Sequence, residues 1–142
     1  MTDRSEAEAL LARWDDGFTT REALTWLIAE PGDGRAIGTC TLFRIDPRHR
    51  RAEIGYSLQS ARWGRGLARE ALAVMLDWAF PALHLHRIEA DVDPRNEASR
   101  QLLLRLGFRS EGVLRERYFV GDDVSDTELF GLLAEDWRSR QW

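Results

Sequence analysis

One segment constrains this chain more than any other: residues 63–72, which read Trp-Gly-Arg-Gly-Leu-Ala-Arg-Glu-Ala-Leu. It follows a strand-like pattern over residues 52–58, and from Gly66 onward apolar residues recur at spacings of three and four, as on a buried helix face. Glycine omits the Cβ where a backbone must approach a ligand closely. Because a helix start presents unpaired N–H groups and a positive dipole end, the segment predicts a phosphate cradle.

The better-known phosphate loops do not fit this segment. A dinucleotide-binding fingerprint has a third small residue three positions after its second glycine, and that position is Arg69 here. No Gly-Lys-Ser or Gly-Lys-Thr follows, so a nucleoside-triphosphate loop is not supported. From these residues alone, an ordinary strand-to-helix connection punctuated by glycine remains the alternative.

Composition restricts the class of protein. The 142 residues are enough for one domain with its own core, and we expect 1–142 to form a single domain. No apolar run approaches membrane-spanning length, and residues 1–6 lack a secretory pattern. The net charge of −4 argues against a general nucleic-acid partner, and the single Cys40 suits a reducing compartment. We therefore expect a soluble, cytoplasmic protein that binds neither membrane nor nucleic acid.

The hydrophobic pattern predicts a mixed layer of strands and helices. It indicates a helix over residues 5–17, strands over 24–29, 36–43 and 52–58, and a long helix to about Phe80. A strand at 87–92 and a helix from Asn96 to a cap at Gly107 follow. Two late strands, 113–120 and 127–133, and a terminal helical turn complete the pattern, in which a sheet buries one face against helices.

Over residues 37–133 the chain resembles the GNAT superfamily of N-acyltransferases. The glycine segment is similar to the family's acetyl-CoA signature, with Gly66 and Ala68 matching and Trp63 opening the loop, as in the branch of ribosomal-protein N-terminal-alanine acetyltransferases. Asn96-x-x-Ser99 and residues 106–108, Leu-Gly-Phe, extend the resemblance at consistent distances. It implies an α/β (α+β) fold with a mixed, mostly antiparallel sheet flanked by helices. The family's first strand is expected to be missing, because the chain begins almost at the first helix.

The resemblance also implies acetyl-CoA as acyl-donor substrate, and no metal. The pyrophosphate would lie on backbone N–H groups of the loop, supplemented by the Arg65 charge, and the end of the preceding strand would pair with the pantetheine amides. Asn96 would lie near the pantetheine arm; a helix N-cap is the equally weighted alternative, and both can hold. The expected acetyl-CoA-binding residues are Tyr56, Ser57, Leu58, Trp63, Gly64, Arg65, Gly66, Leu67, Ala68, Asn96 and Ser99.

Three residues are candidates for the chemistry. Glu53 is the expected general base, with an ion pair to Arg44 or Arg51 as the structural alternative. The resemblance makes Ser99 a candidate for protonating the leaving thiolate, against a local bond within the first helical turn. Tyr118 is expected to line the acceptor pocket or supply a hydroxyl.

Many family members use a tyrosine four residues before the glycine of Leu-Gly-Phe, and that position is Leu103 here. His84 and His86 lie near a predicted turn and are interpreted as surface residues and not as metal ligands, since no carboxylate or cysteine pattern accompanies them.

These features predict an acetyl-CoA-dependent N-acetyltransferase that acts on a primary amine. The transfer is expected to be direct, because Cys40 lies within a predicted strand remote from the loop and no other nucleophile is evident. A protein N-terminal amine is the first expectation for the acceptor, and a small-molecule amine is the second. The alternatives are a catalytically degenerate, regulatory CoA-binding module and, more weakly, an interaction domain. A homodimer through the late hairpin is also expected.

Overall fold

The computed structural model describes residues 11–14, 23–29, 32, 34–58 and 66–140. This part of the chain contains seven strands and three helices. The strands are β1 (Leu11–Trp14), β2 (Ala23–Ala29), β3 (Ala36–Asp46), β4 (Arg51–Leu58), β5 (Arg87–Val92), β6 (Arg109–Val120) and β7 (Asp123–Leu133). The helices are α1 (Leu67–Ala82), α2 (Glu97–Leu106) and α3 (Ala134–Arg138).

The strands form one mixed sheet in the order β1-β2-β3-β4-β5-β7-β6. Neighbouring strands are antiparallel except for β4 and β5, which are parallel and are joined by the crossover helix α1. The β4–β5 ladder is short: it begins at Arg51 and Arg87 and ends at Ile54 and Ala90. Beyond Ile54, β4 continues to Leu58 and stays paired with β3 on its other side. The centre of the sheet is therefore open on one side of β4.

The two faces of the sheet differ in burial. Alternating residues of each central strand, such as Ala52, Ile54, Ile88 and Ala90, are buried against the helices, as expected for a sheet that covers its core on one face. The core cluster is completed by α1, whose apolar face contributes Leu72, Leu76 and the other buried positions Ala73, Met75, Ala79 and Phe80. The intervening strand residues lie on the opposite face, here called the open face.

The first strand and first helix differ from expectation. Residues 11–14 form β1, which pairs with β2 in antiparallel register from Leu11 opposite Ile28 to Trp14 opposite Thr25. The helix predicted over residues 5–17 is therefore wrong at 11–14, and its other residues lie outside the described part. The family's first strand was expected to be missing, and this expectation is wrong as well, because β1 precedes β2 and pairs with it. Short apolar runs fit helix and strand patterns alike, and the backbone groups offered by the β2 edge decide between them.

The late hairpin is as predicted but longer, with β6 and β7 joined by a turn at Gly121 and Asp122. β6 forms the edge of the sheet, and all of its side chains are exposed, including Phe119 and Val120. The homodimer expected through this hairpin stays a prediction, as does the assignment of 1–142 to one domain. Among the described helices, none is long and apolar enough to cross a bilayer.

Candidate active site

A cleft of about 450 Å³ opens where the β4–β5 ladder ends. Its walls are the end of β4, the first turn of α1 and one face of α2. The residues that line it are Tyr56, Ser57, Leu58, Gly66, Leu67, Ala68, Arg69, Asn96, Ala98, Ser99, Gln101, Leu102 and Arg105. Eight of the eleven residues expected to bind acetyl-CoA are in this set. The other three, Trp63, Gly64 and Arg65, lie outside the described residues.

The start of α1 forms one end of the cleft. Gly66 is the N-cap residue and has the left-handed conformation, with φ of 75°, which glycine adopts without steric cost. Among the described residues, no side chain caps this helix start. The first-turn N–H groups of a 16-residue helix are thus presented beside the cleft together with the positive end of its dipole. This arrangement suits an anionic group such as a pyrophosphate.

The α2 wall of the cleft follows helical periodicity. Ala98, Gln101, Leu102 and Arg105 are spaced as i, i+3, i+4 and i+7, and all four line the cleft. Leu103, on another face, is fully buried in the core. These four residues and Arg69 on α1 were not predicted from the sequence to be part of the site, although the i, i+3, i+4, i+7 spacing on α2 was visible. Arg69 and Arg105 add positive charge on two sides of the cleft.

Asn96 and Ser99 fix the start of α2. The Asn96 side chain accepts a hydrogen bond from the backbone N–H of Ser99 at 3.1 Å, so Asn96 is an N-cap and also lines the cleft. The Ser99 hydroxyl lies 3.0 Å from the Tyr56 hydroxyl and so connects α2 to β4 across the cleft. The alternative for Ser99 was a bond of its hydroxyl within the first helical turn, but the hydroxyl contacts Tyr56 instead. Burial raises the pKa of Tyr56, and the hydrogen bond with Ser99 acts in the opposite direction.

Glu53 occupies a different place. It lies on the open face, where its carboxylate forms an ion pair with Arg44 at 3.0 Å, and its side chain is 19% exposed. Together with Asp46, Arg51 and Glu89 these two residues line a second cavity of about 390 Å³ near the start of β4. The structural alternative for Glu53 is thus present in the fold, with Arg44 as partner. Its role as general base stays a prediction.

Asp91 is a carboxylate that was not among the site residues predicted from the sequence. It follows Ala90, the last β5 residue paired with β4, and shares the open face with Glu89 because burial alternates along this strand. It is half-buried, and among the described residues it has no hydrogen bond or ion pair. By contrast, Glu53 and Glu89 are both paired with arginines. The alternation Arg87-x-Glu89-x-Asp91 was the available signal.

Tyr118 is distant from the cleft in the strand order. It lies on the edge strand β6 opposite Ser125, is 47% exposed, and is not among the residues that line the cleft. Its place in an acceptor pocket stays a prediction. In the described part of the chain, no three His, Cys, Asp or Glu side chains are grouped to hold a metal ion.

The chain belongs to the GNAT acetyltransferase family. The family model for an acetyltransferase (GNAT) domain matches residues 1–109. The chain is 37% identical over 137 residues to the uncharacterized N-acetyltransferase p20 of Bacillus licheniformis, covering 96% of this chain and 77% of that protein. It is 34% identical over 88 residues to the spermidine N(1)-acetyltransferase of Escherichia coli, covering 62% of this chain and 47% of that one.

A solved structure extends the comparison. The ribosomal-protein-S5-alanine acetyltransferase from Vibrio fischeri superposes with a TM-score of 0.79 at 32% identity, covering 86% of this chain and 67% of that chain. The fold, the family model and the relatives agree that this protein is an N-acetyltransferase with the GNAT fold, and acetyltransferases of this family use acetyl-CoA as substrate. The fold class, the family resemblance and the enzyme class predicted from the sequence are confirmed.

Proposed function

We propose that this enzyme transfers the acetyl group of acetyl-CoA directly to the α-amino group of a peptide or protein N-terminus. The observation that carries the proposal is the junction, in one cleft, of a helix start that no described side chain caps with the side of β4 that is not paired with β5. An anion site and a row of strand backbone groups are the two features that a pyrophosphate joined to a chain of amides requires.

Three segments of the chain would hold the donor: the start of α1, the end of β4 and the loop before α1. The N–H groups at the start of α1, beginning at Gly66, would bind the pyrophosphate, with Arg69 and Arg105 adding charge. The backbone of β4 from Tyr56 to Leu58 would pair with the pantetheine amides, because the pairing of β4 with β5 ends at Ile54. The expected contributions of Trp63, Gly64 and Arg65 complete the loop and remain part of the proposal.

For the proton of the acceptor ammonium, we favour Asp91 over Glu53. A general base must reach the amine and must be free to take its proton. Glu53 is held by Arg44 and lies before the end of the β4–β5 ladder, whereas Asp91 lies just past that end and has no partner among the described residues. Asp91 is therefore the better placed of the two carboxylates on this face.

The charge of the open face favours a peptide amine over a polyamine. A polyamine carries further ammonium groups, and each one that is bound needs a carboxylate to compensate its charge. Glu53 is already neutralised by Arg44, and Glu89 and Glu111 share Arg87, at 2.8 Å from its Nε and 2.9 Å from its Nη1. Since each of these three glutamates already contacts an arginine, Asp91 is the one carboxylate of the four with no partner among the described residues, which supports an acceptor with one ammonium group, as an N-terminus provides.

Release of CoA thiol tests the proposal with three acceptor types: short peptides with free N-termini, the same peptides blocked at the N-terminus, and spermidine. We expect turnover with the free peptides, which blocking abolishes. Spermidine used in preference to every peptide would contradict the acceptor, and binding of acetyl-CoA without any thiol release would favour the regulatory CoA-binding module instead.

Two matched variants test the base. Asp91→Asn and Glu53→Gln each remove one charge from the same face at nearly constant volume. We expect Asp91→Asn to lower kcat/KM by about 100-fold at neutral pH, the typical contribution of a general base, and Glu53→Gln to act mainly on stability. The opposite ranking would assign the base to Glu53, as the sequence first suggested.

A further inference from the structure

We propose that the Tyr56 hydroxyl supplies, through Ser99, the proton that the leaving CoA thiolate takes up. This inference rests on the proposed function and on the expectation from the sequence that Ser99 protonates the leaving thiolate. Tyr56 is then a positioning residue that acts through Ser99, and not a residue whose contribution ends with its backbone.

The geometry of the pair carries the inference. The two hydroxyls lie 3.0 Å apart, one on β4 and the other on α2, and both line the cleft. The Ser99 backbone is held by the Asn96 cap, so its hydroxyl is presented from a fixed helical turn. Tyr56 packs against the main core cluster, which holds its ring in place. At this distance a proton can pass directly from the Tyr56 hydroxyl to the Ser99 hydroxyl.

Acid strength explains why Ser99 needs a second group. An aliphatic hydroxyl is about as weak an acid as water, and is far weaker than a phenol, which titrates near 10, or a cysteine thiol, which titrates near 8.5. A serine acting alone would give its proton to a thiolate against a large difference in acidity. With Tyr56 behind it, the net donor is a phenol, which is much closer to the thiol.

Other proton sources near the cleft are poorly suited. Leu103 has no acidic proton, and it is fully buried in the core. Arg69 and Arg105 line the cleft, but guanidinium groups do not give up protons at physiological pH. Among the cleft-lining residues that the structure describes, Tyr56 alone carries a phenolic proton. Burial raises its pKa, so the phenol remains protonated at neutral pH.

The proton transfers balance. As the C–N bond forms and the C–S bond breaks, Ser99 gives its hydroxyl proton to the sulfur and takes the proton of Tyr56. Solvent then returns a proton to the Tyr56 phenolate. The proton that the amine loses passes through the base, Asp91 in our proposal, to solvent. The enzyme is thereby restored, and no oxidant, reductant or further reactant is needed.

The test uses Tyr56→Phe, Ser99→Ala and the double variant, with Thr25→Val as control. Thr25 also takes part in a hydroxyl–hydroxyl contact of 3.0 Å, with Thr41, but this contact lies on the open face toward the edge of the sheet. We expect each single variant to lower single-turnover acetyl transfer by about 100-fold. The double variant should be no slower than the slower single one, because the two groups act as a unit. Thr25→Val should transfer at the parent rate.

The rate of acetyl transfer in mixtures of H2O and D2O distinguishes proton transfer from a purely structural role, because a structural role would not change how the rate depends on deuterium content. Two protons in flight give the parent enzyme a bowed dependence on deuterium content, and Tyr56→Phe should make it linear. An unchanged rate in Tyr56→Phe or Ser99→Ala, additive losses in the double variant, or a bowed dependence without Tyr56 would overturn the relay alone. A parent enzyme that binds acetyl-CoA and transfers to no amine would overturn the proposed function, and the relay with it.

Discussion

Replacing Gly38 with alanine should damage both the sheet and the donor cleft. Gly38 lies on β3 opposite Leu58, and a Cβ built on it would lie 2.2 Å from the backbone carbonyl oxygen of Ser57 and 3.0 Å from the Leu58 Cα. These are backbone atoms of a paired strand, so no flexible side chain can move aside. The oxygen would have to retreat by about 1 Å or more to reach ordinary van der Waals separation.

Such overpacking destabilises proteins by about 1–3 kcal/mol, which corresponds to a loss of roughly 3–10 °C in Tm for a domain of this size. Because Ser57 and Leu58 line the cleft, the shifted strand should also bind acetyl-CoA more weakly. Urea unfolding measures the first effect, and isothermal titration with acetyl-CoA measures the second.

Gly55→Ala is the matched control for this experiment. Gly55 lies on the partner strand β4, and its added Cβ would meet the Phe43 ring at 3.5 Å, which is ordinary contact. Stability should stay the same or rise by about 0.4–1 kcal/mol through the lower entropy of the unfolded chain. If Gly38→Ala were as stable as Gly55→Ala and bound acetyl-CoA with parent affinity, the argument from backbone contact would be refuted.

Three further predictions concern other parts of the fold. Gly66→Val should weaken acetyl-CoA binding in isothermal titration and cost about 1–2 kcal/mol of stability, because φ of 75° strains a residue with a Cβ. The Arg100 guanidinium holds the pKa of Glu128 below its usual value, so the stability from this pair is present above about pH 4.3 and is lost as pH falls through the lower folded-state pKa. Urea unfolding should show Glu128→Gln about 1.5–3 kcal/mol less stable than the parent at neutral pH, with the gap closing in acid. Burial raises the pKa of Cys40 to about 12, so thiol reagents at pH 8 should label it only after denaturation, and Cys40→Ala should retain acetyl transfer.

The central elements were predictable because local signals agree with the tertiary contacts. Residues 87–92 alternate in the sequence, and β5 has these bounds. Asn96 and Gly107 were expected to bound a helix; they are its N-cap and C-cap, and Gly107 has φ of 101°. The glycine segment placed α1 for the same reason, since Gly66 has the left-handed conformation that ends the turn.

The errors arose where a property depends on a distant partner. Residues 11–14 have too few positions for a period to decide between helix and strand, and pairing with β2 made them a strand. The partner of Glu53 was open between two arginines, and the choice of Arg44 follows from the β3–β4 register, in which its neighbour Phe43 lies opposite Glu53. The Tyr56–Ser99 contact joins residues 43 positions apart, and no local pattern reveals such a pair.

Strand alternation and the short β4–β5 ladder together explain how the two proposed proton transfers would be kept apart. Tyr56 lies on the helix side of β4, two residues after buried Ile54, whereas Asp91 lies on the open face just past the Ile54–Ala90 pair. A thioester held where the ladder ends could be approached by the amine from the open face while its sulfur faces the helices. The acid and the base then cannot neutralise each other directly, because the sheet lies between them. If this separation holds, Asp91→Asn and Tyr56→Phe should slow transfer by independent factors, since the two side chains share no contact.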